Sequence, residues 1–266
     1  MKLSYFEVNA FASKPFTGNP TGVCPLKHWL TDATMQNIAA ENNLSETAFF
    51  VPRGSDYELR WFTPMVEIDL CGHATLASAF VLFSELDRPG DAVQFHSRSG
   101  PLVVRRQIDV LTLDFPSRPP AAAATPEALI RGLGKKPVEV LKARDYFAIF
   151  ATAEEVRSLN PDFGLLGTLD EKVIVTAPGV DCDFVSRFFA PTAGVPEDPV
   201  TGSAHCTLIP YWSRRLGKTK LFARQVSKRG GELFCELAGE RVLIGGKAVL
   251  YSRGQIEIDD AAAPMR

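Results

Sequence analysis

The residues able to do chemistry in this sequence gather at two glycine-led turns and one carboxylate. Gly72-His73-Ala74 and Gly202-Ser203-Ala204 each open a segment that reads as a helix. The first turn of a helix exposes backbone N–H groups at its positive dipole end, a natural seat for a carboxylate. Packing against a neighbour is the plainer reason for a glycine there. Acids precede both starts, Glu67 and Asp69 in one case, Glu197 and Asp198 in the other. Such acids are often surface caps, but Asp198 lies in the tight run Glu197-Asp198-Pro199-Val200-Thr201-Gly202-Ser203 and is assigned to a site. Glu46 stands at the mouth of the apolar run Ala48-Phe49-Phe50-Val51. Apolar surroundings disfavour a bare carboxylate charge and suit the group to proton transfer. Taken alone, a surface glutamate or an N3 capping partner is the commoner explanation of Glu46.

Other chemistries find little support. The five cysteines, at 24, 71, 182, 206 and 235, are odd in number and form no C-x-x-C, so reduced thiols are expected. The four histidines provide no H-E-x-x-H. Only His205-Cys206 reads as a close Cys/His pair, and neighbouring side chains diverge on any regular element, so no metal site is expected.

The elements that must position these residues alternate between strand and helix. An amphipathic helix runs from Thr31, its cap, to Asn42, with Met35, Ile38 and Ala39 on one face. Ala74–Leu86 is almost wholly apolar, as a helix buried on all sides must be. Val104–Phe115, Lys172–Thr176 and Arg241–Tyr251 read as strands. The proline- and alanine-rich run from Phe115 to Ala124 breaks the chain near its middle, and Thr125-Pro126-Glu127 then reads as a helix start with a capping hydroxyl.

One internal echo organises the rest. Residues 57–64 (YELRWFTP) and 184–191 (FVSRFFAP) share the pattern aromatic-x-x-Arg-aromatic-Phe-small-Pro. Each leads through an acidic loop, three residues longer in the second case, to Gly-polar-Ala and a helix. This suggests duplication, with halves at 1–116 and 117–266 and a last strand able to return to the first half. Halves related by a two-fold would face their helix starts across a cleft suited to a small anion.

Composition bounds the partners. The chain has 266 residues, 45% hydrophobic and 23% charged, as a globular protein of one large or two modest domains does. Its net charge of −2 is scattered, which argues against a nucleic-acid or anionic-membrane partner. No apolar run is long enough to span a membrane, and the start lacks a signal-peptide pattern, so a cytoplasmic location is expected.

Several blocks together resemble the phenazine-biosynthesis isomerase (PhzF-like) family. They are Gly18-Asn19-Pro20, Asn43-Leu44-Ser45-Glu46-Thr47, Phe62-Thr63-Pro64, Cys71-Gly72-His73-Ala74-Thr75, Glu197 to Ala204, and Arg229-Gly230-Gly231-Glu232, in order and nearly end to end. The resemblance implies an α+β fold of the diaminopimelate-epimerase type, two similar domains each wrapping strands around a central helix. It implies a cofactor-free homodimer that moves a proton between carbons of a small carboxylic acid. Glu46 falls on the family's catalytic glutamate, His73 and Asp198 on its polar partners, and Gly72, Gly202 and Ser203 on substrate-binding positions. Racemases of this fold use two facing cysteines. Cys71 matches the first, but Pro199 or Val200 is read at the second, which disfavours that chemistry. The alternatives are a binding or interaction protein that has lost catalysis, and an amino-acid racemase or epimerase using Cys71 with another group.

Overall fold

The computed structural model describes residues 1–258. The chain divides into two units, Met1–Leu113 with the segment from Gly246, and Asp114–Gly245.

The first unit is a curled sheet around a buried helix. Its elements are β1 (Lys2–Ala10), β2 (Asn19–Pro25), α1 (Asp32–Asn42), β3 (Glu46–Arg53), β4 (Asp56–Phe62), β5 (Glu67–Ile68) and α2 (Gly72–Ser84). There follow β6 (Ala92–Ser97), β7 (Gly100–Gln107) and β8 (Val110–Pro116), the last running to the edge of the second unit. Helix α2 touches β1, β2, β3 and β7, strands from widely separated parts of the sheet. Eleven residues of α2 are buried, from Gly72 to Phe83, leaving almost no polar face. Its hydroxyls tolerate this because they bond backward: Thr75 Oγ1 donates to Cys71 O at 2.6 Å and Ser78 Oγ to Ala74 O at 2.8 Å. The sheet's outer face packs on α1 through Met35, Ile38, Phe49 and Phe62. Thr31 caps α1, and Asn43 ends it in the left-handed region.

The second unit contains β9 (Ala121–Ala122), α3 (Glu127–Leu133), β10 (Glu139–Lys142), β11 (Tyr146–Ile149), α4 (Ala153–Ser158) and α5 (Phe163–Leu166). It continues through β12 (Val173–Pro178), β13 (Phe184–Ala190), β14 (Val195–Asp198), α6 (Gly202–Leu216), β15 (Lys220–Gln225), β16 (Gly231–Ala238) and β17 (Arg241–Gly246). β18 (Ala248–Glu257) pairs with β1 of the first unit's own sheet. A core under α3, α4 and α5 is built from Leu129, Val156, Leu166, Val175 and Phe189 among others.

The same order of pairings occurs in both units. β1–β2 is antiparallel, β2–β3 parallel, β3–β4 antiparallel and β4–β6 parallel, with the short β5 hooked onto β4. β10–β11, β11–β12, β12–β13 and β13–β15 repeat that series, with β14 hooked onto β13. The echoed arginines sit at matching places and do the same work. Arg60 holds Glu67 through two contacts of 2.7 Å, and Arg187 holds Glu197 at 2.7 and 3.0 Å. Glu67 and Glu197 are thus strand-to-strand clamps and not surface caps.

Four local expectations are corrected. The strand expected at Val104–Phe115 is a hairpin, broken at Ile108, which has φ of 58° and is 93% exposed. The run Arg241–Tyr251 is two strands separated at Lys247, because its halves pair with different partners, β16 and β1. The cap of α3 is Pro126, with no side-chain hydrogen bond, rather than Thr125. The apolar helix starts at Gly72 and ends at Ser84, so that Leu86 is left 44% exposed. Helix α6 also contains Pro210, which cannot donate to the Cys206 carbonyl one turn back. The Arg118 backbone N–H takes that carbonyl at 2.8 Å instead. No helix among the described residues is long and apolar enough to cross a membrane.

Candidate active site

Glu46 is the first residue of β3 and pairs in register with Thr21 of the parallel strand β2. That register places its side chain beside the start of α2, where His73 is the second helical residue. Glu46 Oε2 lies 2.7 Å from His73 Nε2, with the two side chains only 14% and 5% exposed. The approach is close but not in line, and Oε2 has no aligned donor. Catalytic contacts often tighten only when a substrate arrives.

Two further residues complete this cluster. The amide of Asn19 meets His73 Nδ1 at 3.2 Å, and Cys71 Sγ lies 3.5 Å from the same nitrogen. Asn19 is delivered by a turn that only glycine can make. Gly18 has φ of +69°, and a Cβ there would come within 2.3 Å of the Ala10 carbonyl oxygen. Cys71 is the N-cap of α2 and forms no side-chain capping bond, as a thiol in place of an oxygen would not.

Burial and charge set the protonation states. Burial pushes the Cys71 thiol up to about 11, with the Glu46 carboxylate adding to the rise and His73 opposing it. Burial alone would lower His73, but the adjoining sulfur and Glu46 outweigh it, and His73 is raised well above its ordinary value. The thiol keeps its proton at neutral pH, and Glu46 is one of the two groups that raise His73. Glu46, Cys71 and His73 also offer three donor atoms within 4.8 Å of one another, a set that could hold a metal ion. The sequence reading looked only at His205-Cys206 and passed over Cys71-x-His73, whose side chains converge because they straddle a helix start.

In the second unit the assigned residues share one turn. Asp198 ends β14 and accepts the Thr201 hydroxyl. Gln225 pins this loop: its amide donates to Asp198 O at 2.8 Å and accepts from Thr201 N at 2.8 Å. Ser227 Oγ adds a bond to Pro199 O at 2.8 Å. Gly202 is buried and opens α6, which has no side-chain cap. The Ser203 hydroxyl accepts from Arg144 Nη2 at 3.3 Å, and Arg144 also pairs with Asp145 at 3.1 Å. The residue matching Cys71 is the N-cap Thr201, not Pro199 or Val200 as the sequence reading placed it. His205, next to Cys206, is wholly buried and gives its Nδ1 proton to Thr201 O at 2.8 Å.

Three participants escaped the sequence reading. Asn19 was visible within Gly18-Asn19-Pro20 but had no role there. Gln225 and Arg144 carry no local signal, because each meets its partner across a long separation in sequence.

Comparison with known proteins follows the same lines. Residues 8–254 match the sequence profile of phenazine biosynthesis-like (PhzC-PhzF) proteins. A protein of Pseudomonas aeruginosa named an uncharacterized isomerase is 53% identical over 259 residues, covering 97% of this chain and 100% of the relative. A crystal structure of a PhzF-family phenazine biosynthesis protein from Enterococcus faecalis superposes with a TM-score of 0.95 at 50% identity, covering 97% and 100%. A hydroxyproline epimerase from Agrobacterium vitis, 13% identical, shares the fold with a TM-score of 0.63 over 97% and 93% of the two chains.

Proposed function

The chain belongs to the phenazine biosynthesis-like (PhzC-PhzF) family, relatives of which are named isomerases, and from that premise we propose that it moves a proton between two carbons of a small carboxylic acid, with Glu46 as the acid and base. The observation that carries this reading is the buried contact of 2.7 Å between Glu46 and His73 at the start of an uncapped helix.

A single carboxylate suits the task because it is a base before the transfer and the conjugate acid after it. Glu46 takes the proton from one carbon and returns it to another. His73 holds the carboxylate in place and offsets its charge, while Asn19 fixes the imidazole ring from the other side. The shelter of the site keeps competing water away from the reacting carbons, while the carboxylic acid form of Glu46 exchanges its proton between turnovers. Gly72 at the start of α2 offers a backbone N–H for a substrate carboxylate. Gly202 and Ser203 offer the same kind of seat at the start of α6, where Arg144 adds positive charge and Asp198 a pinned polar neighbour.

Exchange between two thiols is not favoured. The N-cap of α6 is Thr201, whose hydroxyl is engaged with Asp198. The test is a panel of small unsaturated and hydroxylated carboxylic acids incubated with the enzyme in D2O and followed by NMR. Deuterium entering a C–H position, or a shift of a double bond, supports the reading. A Glu46→Gln variant that turns over a responsive acid as fast as the native enzyme would remove Glu46 from the mechanism.

A further inference from the structure

We infer that Glu46, Cys71 and His73 form a zinc-binding site. The donor set is one carboxylate oxygen, one sulfur and one imidazole nitrogen, all within 4.8 Å of one another. Around a tetrahedral zinc ion, donors at about 2.0–2.3 Å from the metal stand about 3.3–3.8 Å apart. His73 Nε2 already lies 3.7 Å from Cys71 Sγ and 2.7 Å from Glu46 Oε2, so small side-chain movements admit the ion. Three protein ligands leave the fourth position for water or a carboxylate from solution.

The chemistry selects the metal. Magnesium and calcium require oxygen ligands and gain little from a thiol and an imidazole. Mixed sulfur, nitrogen and oxygen donors suit zinc. Charge balance favours it as well. A thiolate, a carboxylate and a neutral imidazole cancel the two positive charges of the ion, so that the loaded site buries no net charge. The S–H bond of Cys71 and the Nε2–H bond of the His73 imidazolium break as the S–Zn and N–Zn bonds form, and both protons leave to solvent. Asn19 supplies the orienting contact that metal-bound histidines usually have, since its amide can turn its oxygen toward the Nδ1–H of a ring that ligates through Nε2.

Zinc here would occupy both proton-handling groups and stop proton transfer. That consequence rests on the proposed function, whereas the binding does not. The binding is therefore read without turnover, and failure of one reading is a separate result from failure of the other.

The experiment titrates the full-length, reduced protein with cobalt(II) as a spectroscopic stand-in and displaces it with zinc. Binding of one equivalent with tetrahedral visible bands and a thiolate-to-cobalt charge-transfer band is expected. The charge-transfer band must persist in Cys182→Ser, which changes the partly exposed thiol elsewhere, and vanish in Cys71→Ser. Asn19→Ala should weaken zinc binding by about 10–100-fold. Native protein showing only six-coordinate cobalt with no thiolate band overturns the inference, whatever the variants do. So does a thiolate band that survives Cys71→Ser.

Discussion

Thr75 and His205 occupy the same step of their helices, each the fourth residue past an N-cap, and each returns a side-chain hydrogen bond to that cap's carbonyl. Thr75 Oγ1 reaches Cys71 O at 2.6 Å, and His205 Nδ1 reaches Thr201 O at 2.8 Å. The two side chains differ in charge potential, and that difference should be visible in the protein's response to acid.

Burial lowers His205 to about 4, with the Thr201 carbonyl opposing the shift. Its folded value is depressed below the unfolded one, so its contribution is complete above about pH 6.5 and is lost as pH falls through about 4. The loss is of order 3 kcal/mol at full protonation. Urea denaturation at pH 7.5 and pH 4.5 should show a fall in stability that His205→Asn, which keeps a donor near Thr201 O, reduces. An unchanged pH dependence in that variant would assign the acid sensitivity elsewhere.

Glu46→Gln should lower turnover of any responsive acid by about 10²–10⁴-fold while near-UV circular dichroism stays native. The same variant removes one of the groups that raise His73. Ring 15N shifts near pH 7.5 should then move from the charged toward the neutral form. Rings that stay charged in the variant would show that Glu46 is not the group responsible.

Gly18→Ala should disturb the site as well as the fold. The backbone is in the left-handed region, and the added carbon would meet Ala10 O at 2.3 Å and Ala12 Cβ at 2.7 Å. A cost of about 1–3 kcal/mol is expected. Gly54 has a similar φ of +62° but nothing within 4 Å, so Gly54→Ala should cost about 1 kcal/mol. Calorimetry compares the two. Only Gly18→Ala should also reduce turnover, because the displaced turn carries Asn19.

The two arginine clamps should differ in strength. Arg187 is 9% exposed and also donates to the carbonyls of Val156 at 3.1 Å and Leu159 at 2.8 Å. Arg187→Ala leaves Glu197 without its partner in a half-buried place and should cost about 3–5 kcal/mol. The Arg60 side chain is 18% exposed, and Arg60→Ala should cost about 1–2 kcal/mol. Urea midpoints for the two variants decide the order, and equal losses would show that burial does not distinguish the clamps.

Much of this protein follows from the sequence alone, because its strongest signals are local or repeated. The apolar run around Leu76 and Val81 could only be a buried helix, and the matched Arg60 and Arg187 marked equivalent strands before any pairing was known. Blocks such as Asn43-Leu44-Ser45-Glu46-Thr47 identified the family and singled out Glu46. The tertiary structure decided what depended on residues far apart in the chain. Parallel pairing of β2 with β3 brings Asn19 and Glu46 to one helix start, and neither local pattern encodes that register. The hairpin at Ile108 and the break at Lys247 were hidden because alternation continues through a change of partner. Burial around Cys71 and His73, which fixes where their protons reside, arises only when strands from separate parts of the chain close around α2.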